Sequence, residues 1–150
     1  MKQLNFVVWL TGNSGAGKTT LAYNLKKVNK YIIILDGDEL RNSISLGLGF
    51  SKEDREEHNL RVARLAEVMR KQGHLVIISV IAPFASTRKK LEAIVPIKWV
   101  YVKRDLPLDS NKPYEIPTKP DLIIDNGKND ALGARGILNT AIMKWMLAKS

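Results

Sequence analysis

The chain has 150 residues, 45% of them hydrophobic, which suits one compact domain with a buried core. It contains no cysteine, which excludes a disulfide framework, a cysteine-based metal site and a thiol nucleophile. Its net charge of +9 is spread along the chain, with no basic tail. Such a charge suits an anionic ligand, nucleic acid or ordinary solubility; because no aromatic-and-basic motif accompanies it, we do not expect a nucleic-acid partner.

Five short apolar runs predict strands, and the first leads directly into a glycine-rich loop, so it is interpreted as a strand rather than a signal peptide. Each run is nearly continuous and rich in β-branched residues, as in strands buried on both faces of a parallel sheet. None is long enough for a membrane helix, and we expect a cytoplasmic protein with no membrane partner. The predicted strands are 6–10, 31–35, 75–82, 97–102 and 121–125.

Helical patterns separate most of these runs, which predicts an α/β fold with a mostly parallel five-stranded sheet. The predicted helices are 19–28, 51–72, 87–94 and 132–148, and residues 106–119, with three prolines, form a loop. In the second helix Ser51 and Asp54 resemble a capping box, and Gly73 ends the helix. A loosely helical apolar stripe supports this helix and consists of Leu60, Ala63, Leu65, Val68 and Met69.

A phosphate-binding loop follows the first strand, because "GNSGAGKT" matches G-x-x-x-x-G-K-[ST] between a strand and a helix. Glycines let the backbone turn so that several N–H groups face one phosphate, and the helix N-terminus adds positive potential. Lys18 would bridge the outer phosphates and the Thr19 hydroxyl would hold Mg²⁺. The predicted ATP-binding residues are Gly12, Asn13, Ser14, Gly15, Ala16, Gly17, Lys18, Thr19 and Thr20.

A second candidate site, "LDGDELR", follows the second predicted strand. In a doubly wound sheet, groups just beyond strand carboxyl ends face the ligand crevice, which places Asp36 and Asp38 near the phosphate loop. These carboxylates could anchor a magnesium-bound water and orient or deprotonate an attacking hydroxyl, while Arg41 would clamp an anionic substrate. The Asp-Gly dipeptide is also common in simple turns, so from spacing alone both interpretations stay open.

Several stretches resemble the adenylylsulfate kinase family, in the same order and at similar spacing, over roughly residues 6–125. They are "WLTGNSGAGKTTLA", "LDGDELR", "LGFSKEDR", "VIAPF" and "PYEIPTKPDLIID". The phosphate loop is shared by many proteins, whereas DGD-x-x-R combined with GFS-x-x-DR is much more specific. The resemblance implies a P-loop NTPase fold of the nucleotide-kinase type, a three-layer sandwich, and a single kinase domain over residues 1–150. It also implies transfer of the γ-phosphate of ATP to the 3′-hydroxyl of adenosine 5′-phosphosulfate, with Mg²⁺.

Site residues follow from the same resemblance, position by position. Lys18 and Asp36 would be catalytic, Asp36 as the base or as a ligand of the metal or its water beside Thr19. Arg41 and Arg55 would hold the phosphosulfate group and Phe50 would stack on the substrate base. Further substrate-binding positions are Asp38, Asn59, Ile81, Ala82, Pro83, Phe84 and Tyr114. Arg104 would pack on the adenine of ATP, with a plain surface ion pair as the other interpretation.

Three departures from the family pattern bear on the substrate. Ala82 stands where the family usually has serine. His58 takes the place of the usual asparagine and Asn59 comes one residue later, so either the helix adjusts, or His58 takes part, or His58 is a solvated helix residue. The helical lid that normally precedes "PYEIP" is missing, and the lid around residues 103–119 is short.

The short lid leaves alternatives open. It could suffice, with Lys103, Arg104 or Lys112 replacing lost contacts. The acceptor could instead be another nucleotide with a free 3′-hydroxyl, as in the related cytidine diphosphoramidate kinases, or the chain could be a nucleotide-binding module with weak catalysis. Family members often dimerise, so the resemblance implies a homodimer as one possible assembly of this chain. The sequence itself shows no self-complementary surface.

Overall fold

The computed structural model describes residues 4–107, 109 and 111–148, and this part of the chain contains five strands and five helices. The strands are β1 (Val7–Thr11), β2 (Ile33–Asp36), β3 (Val76–Ser79), β4 (Ile97–Lys103) and β5 (Leu122–Asp125). The helices are α1 (Lys18–Val28), α2 (Gly37–Arg41), α3 (Lys52–Lys71), α4 (Ala85–Glu92) and α5 (Ala131–Leu147). No helix in the described ranges is both long enough and apolar enough to cross a lipid bilayer.

The strands form one sheet in the order β2-β3-β1-β4-β5, and every pairing between them is parallel. β1 and β3 are buried along their whole length, as expected where helices cover both faces of a parallel sheet. The predicted α/β class with a five-stranded sheet is confirmed. Ser79 pairs with both Leu10 and Asp36, so β1, β2 and β3 end together at one edge, where ligands bind in doubly wound folds.

Two apolar cores lie on opposite faces of the sheet and make the molecule a three-layer sandwich. Helices α1 and α5 cover one face, where Leu25 and Leu138 are fully buried. Helices α3 and α4 cover the other face through Val62, Ala66 and Leu91. The sheet edge that carries the candidate site is therefore supported from both sides.

Helix α3 begins as predicted, because the Ser51 hydroxyl accepts a hydrogen bond from the Asp54 N–H at 3.1 Å. The Asp54 carboxylate does not close the capping box: it accepts from the Gly49 N–H at 2.8 Å and so holds the preceding loop. The predicted apolar stripe is wrong in part. Val68 is exposed, whereas Val62 and Ala66 lie in the core, because the helix turns its small side chains to the sheet.

The third predicted strand is too long. The chain leaves the sheet after Ser79, and Ala82 adopts a left-handed conformation with φ 48° although it has a side chain. The buried Arg88 guanidinium donates to the Ala82 carbonyl at 2.6 Å and helps to hold this turn. The short helix α2 was not predicted; the Asp36 carboxylate caps it by accepting from the Glu39 N–H at 3.4 Å.

The segment between β4 and β5 has neither helix nor strand among its described residues, and Leu108 and Ser110 of the predicted short lid lie outside them. Its second half is fixed to the start of α4. The Glu115 N–H donates to the Pro83 carbonyl at 2.8 Å, and the Glu115 carboxylate accepts from the Ala85 N–H at 2.9 Å. The end of the segment therefore has a defined position beside the candidate site.

Candidate functional site

The phosphate loop connects β1 to α1, and its backbone explains the glycines at positions 12 and 17. A Cβ on Gly12 would lie 2.2 Å from the Val102 carbonyl oxygen, and one on Gly17 would lie 2.6 Å from Asn126 Nδ2. Gly17 also has φ 97°, which a side chain disfavours. The loop therefore places its backbone against the ends of β4 and β5, and no other residue type fits at Gly12.

Lys18 folds back over this loop. Its Nζ donates to the Gly12 carbonyl at 2.7 Å and to the Asn13 carbonyl at 2.9 Å. Burial lowers the pKa of Lys18 to about 8, although the nearby Asp36 and Asp38 carboxylates favour its charged form. The ammonium is thus poorly solvated, and an anion in the loop would restore a favourable environment for its charge.

Three side-chain oxygens meet where β2 and β3 end beside α1. The Thr19 hydroxyl donates to Asp36 Oδ1 at 2.7 Å, and Thr19 Oγ1 lies 3.0 Å from Ser79 Oγ. Since Mg²⁺ prefers oxygen ligands and retains water, this set fits a magnesium ion. The described ranges contain no group of three or more His, Cys, Asp or Glu side chains placed to hold a metal ion, so the remaining ligands would be water and phosphate.

Ser79 was not singled out from the sequence. The available signal was weak: a lone hydroxyl inside the apolar run 75–82. Its side chain is buried and matters only because the sheet pairs it with Asp36 and brings it to Thr19.

A cleft of about 680 Å³ opens from these oxygens towards α2 and α3. It brings together most of the predicted catalytic and substrate-binding side chains. Its lining residues are Ser14, Lys18, Thr19, Asp36, Gly37, Asp38, Arg41, Phe50, Arg55, His58, Asn59, Ser79, Val80, Ile81, Ala82, Pro83, Asn111 and Lys112. The phosphate loop and the predicted acceptor residues thus share one cavity.

Two arginines surround the exposed ring of Phe50. The Arg41 guanidinium lies 4.4 Å from the ring centroid and that of Arg55 lies 5.5 Å from it. Backbone carbonyls hold both side chains, since Arg41 donates to Gly49 at 2.7 Å and Arg55 donates to Phe50 at 2.7 Å. Burial lowers the pKa of Arg41 and the charge of Arg55 lowers it further. Neither forms an ion pair with a carboxylate among the described residues, which suits an anionic ligand.

His58 and Asn59 both line the cleft, so the interpretation of His58 as a solvated helix residue is wrong. His58 is only 3% exposed, and its Nδ1 lies 2.7 Å from Ser45 Oγ. Burial lowers the pKa of His58 to about 4, with Arg41 and Arg61 acting in the same direction. Asn59 is 2% exposed, and its Nδ2 is buried without a hydrogen-bond partner in the described part of the chain.

Two predicted substrate-binding residues lie outside the cleft. Phe84 is half-buried with the Lys52 ammonium 5.1 Å from its ring centroid. Tyr114 is held against the end of β1, where its hydroxyl lies 2.9 Å from Thr11 Oγ1 and its ring stacks on Tyr101. Burial raises the pKa of Tyr114 to about 12. Phe84 is therefore not among the residues that line the cleft, contrary to its prediction. Tyr114 lines a neighbouring cavity together with Ser14 and Lys112, and its substrate-binding role stays a prediction.

The side of the phosphate loop next to β4 and β5 carries Arg104 and Asn126. Arg104 donates to the Gly15 carbonyl at 3.3 Å, and Asn126 Nδ2 donates to the Ala16 carbonyl at 2.7 Å. Both residues directly follow strands, Arg104 after β4 and Asn126 after β5. Thr20 is exposed within α1 and does not line the cleft.

The short segment before β5 reaches the cleft through Asn111 and Lys112. Arg55 donates to the Asn111 carbonyl at 3.3 Å, which connects this segment to α3. Of the three basic residues considered as substitutes for lid contacts, Lys112 lines the cleft, whereas Lys103 lies 3.9 Å from the Asp125 carboxylate and outside it.

Comparison with known proteins agrees with this geometry. A family model described as adenylylsulphate kinase matches residues 4–112. The adenylyl-sulfate kinase of Myxococcus xanthus is 32% identical over 182 aligned positions, covering 93% of this chain and 97% of its own. Since this chain has only 150 residues, the relative carries residues within the aligned region that are missing here.

Solved structures show the same relationship. A structure of the Mycobacterium tuberculosis APS kinase CysC in complex with AMPPNP and APS matches with a TM-score of 0.81 at 27% identity, covering 95% of this chain and 99% of that one. A hexameric APS kinase from Thiobacillus denitrificans matches with a TM-score of 0.81 at 29% identity, covering 98% of this chain and 30% of that chain.

Proposed function

Because this chain belongs to the adenylylsulphate kinase family, we propose that it transfers the γ-phosphoryl group of ATP to the 3′-hydroxyl of adenosine 5′-phosphosulfate, giving 3′-phosphoadenosine 5′-phosphosulfate. One observation carries the proposal. A single cleft joins the phosphate-loop residues Lys18 and Thr19 to Arg41 and Arg55, two arginines with no ion-pair partner among the described residues. A donor phosphate and an anionic acceptor can therefore bind in one cavity.

On the donor side, the loop from Gly12 to Thr20 would bind the phosphates of ATP through its backbone N–H groups and the N-terminus of α1. Lys18 would exchange its two carbonyl partners for phosphate oxygens. Arg104 and Asn126 would flank the base, since both contact the outer side of the loop. Because phosphoryl transfer needs little covalent work from the protein, these residues act by position and charge.

The oxygens of Thr19 and Asp36 would hold Mg²⁺, with Ser79 bonded to Thr19 behind them. When bound, the ion neutralises phosphate charge and fixes the orientation of the transferred group. Asp36 also lies in the acceptor cleft, so its second oxygen can accept a hydrogen bond from the 3′-hydroxyl and orient it.

On the acceptor side, Arg41 and Arg55 would bind the phosphosulfate and Phe50 would stack on the adenine. Asp38, Asn59 and the turn 81–83 complete the wall of the cleft. Asn111 and Lys112 would serve as a short lid within a single domain over residues 1–150. The comparisons do not favour another acceptor or a module with weak catalysis.

The experiment is a coupled assay of ATP consumption with adenosine 5′-phosphosulfate and Mg²⁺, with the product analysed for a new 3′-phosphate. We expect Lys18→Ala and Asp36→Asn each to lower turnover at least about a hundredfold. Their melting temperatures should change little, because asparagine can still cap α2. Near-normal turnover of either variant would refute the assigned roles, and no turnover by the wild-type protein would refute the acceptor.

The two arginines are tested separately. Arg41→Ala and Arg55→Ala should raise KM for adenosine 5′-phosphosulfate at least about tenfold and leave KM for ATP nearly unchanged. Arg64→Ala is the matched control, since Arg64 lies on the same helix as Arg55 but is exposed, 3.8 Å from Glu57. Equal effects of all three substitutions would contradict an acceptor site at Arg41 and Arg55.

Cellular location and assembly belong to the same proposal. A cytoplasmic location and a homodimer are suggested by the family resemblance alone, and the hexameric APS kinase relative shows that other assemblies occur. Light scattering of the purified protein gives the assembly directly.

A further inference from the structure

Arg88 on α4 is a buried charged side chain that the proposed roles leave unused. It is 6% exposed, and it takes part in none of the ion pairs between described residues. A guanidinium that is removed from water without a carboxylate partner costs free energy unless its N–H groups find acceptors. The acceptors that Arg88 has found therefore indicate what this side chain does.

The Arg88 guanidinium donates to two backbone carbonyls that belong to different segments. One N–H group donates to the Ala82 carbonyl and another to the Glu115 carbonyl, each at 2.6 Å. The first carbonyl lies in the turn 81–83, which lines the cleft. The second lies in the segment between β4 and β5, which supplies Lys112 to the same cleft. Because the guanidinium is a rigid planar fork, it fixes these two walls of the cleft relative to each other.

The turn 81–83 is held by contacts with distant parts of the chain. Its three successive carbonyls accept, in order, from the Thr11 hydroxyl, the Arg88 guanidinium and the Glu115 N–H. Ala82 has φ 48°, a left-handed conformation that a residue with a side chain disfavours. The turn thus keeps a locally unfavourable shape because remote donors hold it, and Arg88 is the donor to the strained residue itself.

We propose that Arg88 is a positioning residue for the acceptor nucleotide: it holds the turn 81–83 in its left-handed conformation and joins it to the segment between β4 and β5. This inference rests on the proposed function. Arg88 is not among the residues that line the cleft, so it acts through the two walls. Since small displacements of a bound reactant lower the rate strongly, the alignment of these walls matters for turnover. The donor phosphates bind at the phosphate loop, so the effect should be confined to the acceptor.

Steady-state kinetics test this division. Arg88→Met removes both donated hydrogen bonds and should raise KM for adenosine 5′-phosphosulfate at least about fivefold, with KM for ATP changed less than about twofold. Arg88→Lys keeps the charge and one donor and should lie between Arg88→Met and the wild-type protein. Lys89→Met is the matched control, because Lys89 loses the same charge on the same helix but is exposed.

Three results would overturn the proposal: an unchanged KM for adenosine 5′-phosphosulfate in Arg88→Met, an equal rise of both KM values, or the same effect in Lys89→Met. AMPPNP affinity equal to that of the wild-type protein shows that a variant is folded. If Arg88→Met does not fold, Arg88→Lys decides the question with the same two constants.

A second substitution tests whether Arg88 acts through the turn. Glycine adopts a left-handed conformation without strain, so Ala82→Gly lowers the need for a donor that holds this residue. The rise in KM for adenosine 5′-phosphosulfate caused by Arg88→Met should therefore be smaller in the Ala82→Gly background than in the wild-type background. An equal rise in both backgrounds would show that Arg88 does not act by holding the turn.

Hydrogen exchange separates failure of this inference from failure of the proposed function, because it needs no ligand. The Glu115 amide donates to the Pro83 carbonyl and should exchange faster in Arg88→Met than in Lys89→Met. Equal exchange rates would refute the connection between the two walls, whatever the acceptor is. If the wild-type protein did not phosphorylate adenosine 5′-phosphosulfate, the proposed function and the effect of Arg88 on that acceptor would both be overturned, and the exchange rates would still decide whether Arg88 joins the walls.

Discussion

The unusual pKa of Lys18 predicts a pH dependence of nucleotide binding. The free ammonium is buried and has a pKa of about 8, below its ordinary value of 10.5. Nucleotide phosphates bind the charged form, so their presence raises the pKa. Below pH 8 Lys18 is already protonated and affinity is constant. Above pH 8 each further pH unit lowers the affinity about tenfold, or by about 1.4 kcal/mol, until the pH reaches the pKa of Lys18 in the nucleotide complex.

The assay is calorimetric titration with ADP from pH 7 to pH 9.5, because a terminal phosphate with a pKa near about 6 is fully ionised over that range. Tyr114 does not interfere, since its pKa is about 12. Lys18→Arg is the control: arginine stays charged, so its affinity should be lower but independent of pH. A constant affinity for the wild-type protein, or the same slope in Lys18→Arg, would refute the reasoning.

Two further predictions concern stability. Gly12→Ala places a Cβ 2.2 Å from the Val102 carbonyl oxygen, so it should lower the melting temperature and abolish nucleotide binding. Gly136→Ala in α5 has open space around the new Cβ and should stabilise the protein by up to about 1 kcal/mol. A higher melting temperature for Gly12→Ala than for Gly136→Ala in thermal scans would contradict this. His58 has a folded-state pKa of about 4 against an ordinary 6.5, so on acidification the unfolded chain takes up the proton at a higher pH than the folded protein. Lowering the pH from 6.5 to 4.5 should therefore reduce the free energy of unfolding by about 2–3 kcal/mol. In urea unfolding, the free energy of unfolding of His58→Asn should lack this decrease with falling pH. If the variant and the wild-type protein show the same pH dependence, His58 is not the cause of the decrease.

The phosphate loop and most strands could be predicted because their signals are local. Gly12, Gly17 and Lys18 are close in sequence and form a recognisable motif between a strand and a helix, so the loop could be predicted without knowing that Val102 packs against Gly12. The apolar runs likewise predict strands without knowledge of their neighbours. The stop after Ser79 was missed because the left-handed turn at Ala82 is held by Arg88, and no pattern within the run 75–82 marks it.

The contacts between side chains in and around the cleft depended on tertiary structure. Ser45 reaches His58 across 13 residues, Ser79 reaches Thr19 across 60, and Tyr114 reaches Thr11 across 103. Sequence indicated the types of groups present, namely two arginines, an aromatic ring and carboxylates. Whether a given polar side chain faces the cleft, the core or solvent depends on which elements pack against it. That packing is decided by the summed burial of both faces of the sheet rather than by local sequence, because single contacts are too weak to fix it alone.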